Sequence, residues 1–248
     1  MDANLYLPVL LNGHRFGRIS PQRHTLLLSL SLPSVRSTGA GLTIELDDVS
    51  SGLAELHSAL AQHGLLKGWR DEAVDVLDWS GVLYMGQMER AAARFWGSHT
   101  RAVHLNAWVG WDDGAGFQLW LAQRAHNKAT DPGLWDNLVA GCLGPREGAL
   151  QGLKREAIEE AGLDLASAQK LVCGPSLKID RAVPEGWQLE TLQVVDAQLP
   201  MEFRPHNQDG EVQAFELLGW AEARRRALSG TMTADAALVT LDFLRRQH

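Results

Sequence analysis

Apolar positions along this chain change period several times, and each change marks an element. Leu5, Leu7 and Val9 alternate with their neighbours, as do Leu26, Leu28 and Leu30 and then Leu42, Ile44 and Leu46. A repeat of two residues predicts strands. PSVRSTGAG, ahead of Leu42, is a turn-rich connection. From Ser51 to His63 the repeat lengthens, with Leu53, Leu56 and Leu60 at helical spacing and Gly64 as a stop. A second helix is predicted over Met85–Phe95, closed by Gly97. We place a domain boundary at Gly97-Ser98, which gives a smaller α+β segment over 1–98 and a larger one over 99–248.

The larger segment opens on a hairpin pattern. Val103, Leu105, Ala107 and Val109 alternate, DDGAG supplies a turn and FQLWLAQR returns. A loop through Asp131-Pro132-Gly133 leads to a short apolar strand, Leu138-Val139-Ala140, which enters Gly141. A helix follows with Leu150, Leu153, Ala157 and Ala161 as its apolar stripe and Gly162 at its left-handed end. LVCGPSLKID and WQLETLQVV flank Pro184-Glu185-Gly186 as a further hairpin, and Val212–Trp220 reads as a strand. Two helices end the chain. The last starts at an N-cap Thr233 and is expected to turn Ala234, Ala237, Leu238, Leu241 and Leu244 inward.

Beside the apolar stripe of the 150–161 helix the charges are crowded. Glu156, Glu159 and Glu160 fall within an arc of roughly 100° on one face. Like charges so placed repel, and a helix built only for stability does not choose them. The pattern predicts a cation there, and oxygen ligands at short spacing suit a hard ion such as Mg²⁺ or Mn²⁺. Gly141, in the loop before the helix, leaves the backbone free to turn and offer a carbonyl as a further ligand.

Composition narrows the partners. Apolar content of 45% and charged content of 21% are ordinary for a globular protein. A formal net charge of −7 argues against nucleic acid or an anionic membrane as the main partner. Cys142 and Cys173 are too few for a disulfide framework and lack zinc-ligand spacing. Neither a signal-peptide pattern nor an apolar run of the roughly 20 residues a membrane helix needs is visible, so a cytoplasmic location is expected. The histidines show no pairing at catalytic or ligand spacing. There is no internal repeat.

The stretch GCLGPREGALQGLKREAIEEAGL, from Gly141 to Leu163, resembles the Nudix box at every fixed position: Gly141, Glu147, Arg155, Glu156, Glu159, Glu160, Gly162 and Leu163. The resemblance continues outside the box. GWRDEAVDV at 68–76, MERAAARFWG at 88–97, VHLNAWV at 103–109, PGLWDNLVAG at 132–141 and NQDGEV at 207–212 look like one Nudix subgroup. In that subgroup an extra N-terminal domain precedes the hydrolase domain, in plant Nudix proteins and ahead of fungal thiamine pyrophosphokinase. The chain departs from it at Cys142, where a second Gly is usual, and this bears on substrate fit rather than on chemistry.

The resemblance implies an α/β/α sandwich with a mixed sheet, preceded by the smaller α+β domain. It also implies metal-dependent hydrolysis of a small-molecule diphosphate, with oxo- and oxythiamine diphosphate favoured and Mg²⁺ or Mn²⁺ as cofactor. Glu159 and Glu160 would be metal ligands, and Glu156 a ligand or the base that takes the proton of water. Glu147 and Arg155 would tie loop to helix by an ion pair. The family usually adds an acid from a loop outside the box; of Asp209 and Glu211, Glu211 is preferred. Arg124 and Lys128 stand where either could reach an oxyanion, and Trp135 could stack a flat heterocycle. The first segment would cover the substrate pocket or form a homodimer interface.

Box residues do not choose the leaving group, so an ADP-ribose or dinucleotide pyrophosphatase is the runner-up. An isopentenyl diphosphate isomerase shares the fold but needs a cysteine and acids that do not match here. A metabolite sensor can lose box carboxylates, and this chain keeps all of them without a DNA-binding motif.

Overall fold

A computed structural model describes residues 5–110 and 116–247 of the chain. Its elements run β1 (Leu7–Leu11), β2 (His14–Ile19), α1 (Pro21–Ser29), β3 (Val35–Ser37), β4 (Leu42–Ile44), α2 (Val49–Gln62), β5 (Ala73–Leu77), β6 (Tyr84–Glu89), α3 (Ala91–Trp96) and β7 (His99–Gly110). They continue with β8 (Phe117–Arg124), β9 (Trp135–Asn137), β10 (Val139–Cys142), α4 (Ala149–Ala161), β11 (Lys170–Val183), β12 (Gly186–Gln198), β13 (Val212–Gly219), α5 (Trp220–Leu228) and α6 (Ala234–Arg246). Most of the DDGAG turn lies outside the described residues. No described helix is long and apolar enough to cross a membrane.

The chain divides into two compact units. The first holds residues 1–101 with 144–146 and 178–191, and the second holds 102–143, 147–177 and 192–248.

The first unit is α+β. Its four strands lie in the order β2-β1-β4-β3, with β1 parallel to β4 and antiparallel to β2. Strands β5 and β6 form a separate antiparallel pair. Two sequence expectations change here. Leu26, Leu28 and Leu30 belong to α1 and its cap, not to a strand. Ser20 accepts the Arg23 N–H at 3.3 Å and Pro21 opens the helix, so the start signals outweigh the local alternation. Met85–Glu89 is the second strand of the β5–β6 pair, and the helix begins only at Ala91. Gly97 ends that helix with φ +60°, as expected of a left-handed stop.

Leu53, Leu56 and Leu60 of α2 are buried as their spacing predicted. His57 is buried beside them, and its Nε2 accepts the Trp96 Nε1–H at 2.8 Å. Burial lowers the His57 pKa from 6.5 to about 4. The unfolded chain therefore binds the extra proton between those values, and stability present above pH 6.5 is lost as pH falls toward 4. At pH 4.5 the loss through this one ring should be on the order of 2–3 kcal/mol. His57→Gln keeps an acceptor but does not titrate. Urea unfolding at pH 7.5 and 4.5, read by tryptophan fluorescence, should show a smaller pH difference for that variant. An equal difference would mean His57 is not the proton acceptor.

In the second unit one sheet carries the order β11-β12-β7-β8-β13, with β10 on β7 and β9 on β8. Alternation along β7 separates the two faces of the sheet. Val103, Leu105, Ala107 and Val109 pack with Leu153, Ala157 and Ala161 of α4. Trp108 points the other way, to Ala223 of α5 and Phe243 and Leu244 of α6. Along β8, Trp120 joins the α4 side while Phe117 and Leu119 join α5 and α6. The result is the expected sandwich, a sheet between helices. Two apolar assignments are corrected. Leu150 is 46% exposed, one turn too early to reach the sheet. In α6 the buried apolar residues are Ala236, Val239, Phe243 and Leu244, while Ala234 and Leu238 are exposed. Thr233 is the N-cap, accepting the Ala236 N–H at 3.1 Å.

Candidate active site

Helix α4 presents the box residues because its opposite face is fixed. Burying Leu153 against β7 contributes about 2 kcal/mol. Gly162 closes the helix at φ +60°, with its N–H on the Ile158 carbonyl and the Leu163 N–H on Ala157. The register of the three glutamates follows from this pinned face, and each meets a different environment.

Glu160 points into the protein and is 7% exposed. Its Oε2 accepts the Ala140 N–H at 2.9 Å. Burial raises its pKa well above the usual carboxylate value, and the neighbouring Glu156 adds to the rise. Glu156 is also raised by burial, against the opposing pull of Arg155. Its carboxyl group lies over Gly141, where a Cβ would come within 2.2 Å of the carboxyl carbon. This close approach is the reason for glycine at 141, which sits in β10 opposite Val103. Glu159 faces solvent, with its side chain 46% exposed.

The cation already beside these charges is Arg155. It donates to Glu147 through Nε (3.1 Å) and Nη2 (2.9 Å), a bidentate bond. Its Nη1 reaches Glu156 at 2.8 Å and Glu159 at 3.3 Å. The bonds to Glu147 chiefly, then the charge of Glu156, raise the Arg155 pKa. The expected ion pair between Glu147 and Arg155 is therefore present. The three box glutamates do not meet at one point. Among the described residues no three acidic, histidine or cysteine side chains converge as a ready ligand set. Arg155 draws Glu156 and Glu159 aside, while Glu160 turns inward.

Glu160 lines a pocket with Arg124, Lys128, Asp136, Asn137 and Glu211. Lys128 Nζ donates to Glu211 Oε2. Of the two loop acids singled out, Glu211 thus reaches the pocket. Asp209 does not line it: its Oδ1 accepts the Glu211 N–H at 2.8 Å and shapes the turn. That turn is tied to α4 by the Gln208 N–H on the Glu159 carbonyl and the His206 N–H on Ala161. Arg124 lines the pocket but is committed to the 125–133 loop. Its Nη2 donates to the Thr130 carbonyl at 2.9 Å and its Nη1 to Asp136 at 3.2 Å. Trp135 is outside the pocket, its ring under the Arg226 guanidinium at 4.5 Å and packed beside Met232. Cys142 is half-buried in β10, opposite Ala102.

This arrangement fits a hard divalent ion. The pocket supplies carboxylate oxygens, one of them on the buried Glu160, whose charge Lys128 only partly offsets, and its lining includes no soft donor. Residues 104–239, more than half of the chain, match the NUDIX domain. The chain belongs to the Nudix family. It is 31% identical over 201 residues to Nudix hydrolase 20, chloroplastic, of Arabidopsis thaliana, covering 81% of this chain and 53% of that one. Identity to Nudix hydrolase 24, chloroplastic, of the same plant is 32% over 204 residues, covering 81% and 54%. The chain thus spans about half the length of these Nudix relatives. A Deinococcus radiodurans crystal structure superposes with a TM-score of 0.54 at 20% identity, covering 71% of this chain and 98% of its own, and this likeness shows the fold.

Two pocket residues of this Nudix domain escaped the sequence reading. Asp136 is buried, and burial raises its pKa against the charges of His104 and Arg124. Asn137 joins a buried network: its Oδ1 meets His104 Nδ1 at 2.8 Å, and its Nδ2 donates to Asn106 at 3.2 Å and Thr240 at 3.0 Å. The one signal for them was a polar pair between apolar neighbours in LWDNLV.

Proposed function

We propose that this chain is a divalent-metal-dependent diphosphate hydrolase. The observation that carries the reading is the convergence of Glu160 and Glu211 on one pocket with Lys128, beside the Glu156 carboxyl seated on Gly141. Glu156, Glu159 and Glu160 would hold Mg²⁺ or Mn²⁺, with the Gly141 carbonyl available as a further oxygen. The ion, when bound, supplies charge neutralisation and Lewis acidity at the diphosphate. The remaining work belongs to side chains. Glu211, or Glu156, accepts the proton of the attacking water. Lys128, released from Glu211, meets a phosphate oxygen as a mobile point charge. Arg124 borders the phosphate path through its place on the loop. Arg155, held by Glu147, keeps Glu156 in line.

The finer reading is that the substrate is oxo- or oxythiamine diphosphate, converted to its monophosphate. Support comes from the segments outside the box that resemble the plant and fungal subgroup. In that reading residues 1–98 are the subgroup's N-terminal domain and 99–248 the hydrolase domain. The match to the Arabidopsis relatives, over 81% of this chain, extends beyond the domain itself. The net charge of −7 favours a small diphosphate, reached through the metal, over nucleic acid or a membrane.

The test compares kcat/KM for oxothiamine, oxythiamine and thiamine diphosphates and ADP-ribose at one Mg²⁺ or Mn²⁺ concentration, with a chelator control. The damaged thiamine diphosphates should rank first, and chelation should stop turnover. A pocket that bonds the added carbonyl or hydroxyl can discriminate strongly, whereas an apolar one reaches only about 10–200-fold. A better rate with ADP-ribose would leave the hydrolase and remove the thiamine reading. Full turnover in excess chelator would remove the metal.

A further inference from the structure

Residues Gly144–Arg146 lie inside the box yet group with the first compact unit. Arg146 has φ +56°, a left-handed conformation that side chains avoid. What keeps it there is specific. Its N–H donates to Asp75 Oδ1 at 2.9 Å. Asp75 is 6% exposed, and its other oxygen receives Arg101 Nη2 at 2.5 Å. The Arg146 guanidinium lies over the Tyr84 ring, 4.7 Å from its centre. Asp75 and Tyr84 stand on the paired strands β5 and β6. The next residue in the chain is Glu147, whose carboxylate grips Arg155 in two bonds, and Arg155 in turn reaches Glu156.

We propose that Asp75, backed by Arg101, is a positioning residue for the hydrolase: it holds Arg146 left-handed and thereby aims Glu147 at Arg155. This rests on the diphosphate-hydrolase reading above. Asp75, Tyr84 and Arg101 all precede residue 104, where the NUDIX match begins, so the family assignment gives them no part. The physical logic is that of strain held by its surroundings. A carboxylate shielded from water is a strong acceptor for a peptide N–H. Without it, Arg146 relaxes to negative φ, the peptide plane ahead of Glu147 turns, and the bidentate bond to Arg155 is lost.

The experiment uses Asp75→Ala, the double variant Asp75→Ala with Arg146→Gly, and Asp75→Asn in the full chain. Relaxation of a left-handed residue should cost Asp75→Ala about 5–30-fold in kcat, with KM changed less than about twofold. Glycine occupies the left-handed region readily, so the double variant should recover to within about threefold of the parent. Asp75→Asn, which keeps an acceptor, should fall between. A readout independent of turnover is the Arg155 Nε–H resonance in ¹⁵N-edited spectra. It should persist in the parent, fade in Asp75→Ala and return in the double variant. If the parent hydrolyses no diphosphate, the hydrolase reading fails, while the resonance still decides the clamp. An unchanged resonance in Asp75→Ala, or a kcat loss that glycine at 146 does not repair, overturns the proposal.

Discussion

Glu160→Gln is expected to lose about 10²-fold or more in kcat while, without divalent ions, melting no lower than the parent at neutral pH. Both effects come from one fact. Glu160 is 7% exposed, and its partner in hydrogen bonding is a neutral peptide, the Ala140 N–H at 2.9 Å. Glu156 and Asp136 add like charge, and Lys128 only partly offsets it. A carboxylate so placed costs stability unless a cation joins it. Glutamine keeps an acceptor for Ala140 and removes the charge. Added Mg²⁺ or Mn²⁺ should raise the parent's Tm by mass action and move the variant less. Melting curves with and without metal, beside kcat on the best diphosphate substrate, make the comparison. Unchanged turnover would place the chemistry elsewhere.

The readability of this site in the sequence followed the range of the interactions. Apart from Leu150, the apolar face of α4 was legible, because a helix lays out its own faces: Leu153, Ala157 and Ala161 point inward and set the side on which Glu156, Glu159 and Glu160 stand. The Glu147–Arg155 pair was expected from the resemblance to the box, not from the helix pattern, since Glu147 precedes α4. The partition of the three glutamates was not legible. It depends on Arg155 turning toward Glu156 and Glu159 and on the β10 peptide at Ala140 receiving Glu160. The surroundings of Trp135 were not legible either, because the guanidinium that covers its ring, Arg226, arrives from α5. Asp136 and Asn137 draw their meaning from His104, Asn106 and Thr240, distant in sequence. In the first unit the errors were local. LLLSLSL alternates as a strand does, but Ser20 and Pro21 start a helix before it. Strand β6 was taken for helix because its pairing with β5, not its own pattern, makes it a strand.

Gly141→Ala is expected to lower kcat by about 10²-fold, because a displacement near 1 Å of a catalytic group has that cost. The backbone at 141 is not left-handed and stays paired with Val103, so alanine meets no conformational barrier in the strand. The obstacle is Glu156. A Cβ at 141 would lie 2.2 Å from its carboxyl carbon and Oε1 and 2.4 Å from its Cγ. Those atoms are the end of a flexible side chain, so Glu156 moves and the sheet does not. The stability cost should then be modest, about 1–3 kcal/mol at most. Gly39→Ala, where nothing lies within 4 Å, is the control that should leave both quantities near the parent. The route through Glu156 is checked by a double-mutant cycle. Glu156→Gln alone should also lose about 10²-fold, and if alanine at 141 acts by displacing that carboxylate, the two losses cannot add. Fully additive losses would mean that the glycine serves the site by another path, such as the access of its own carbonyl to the metal.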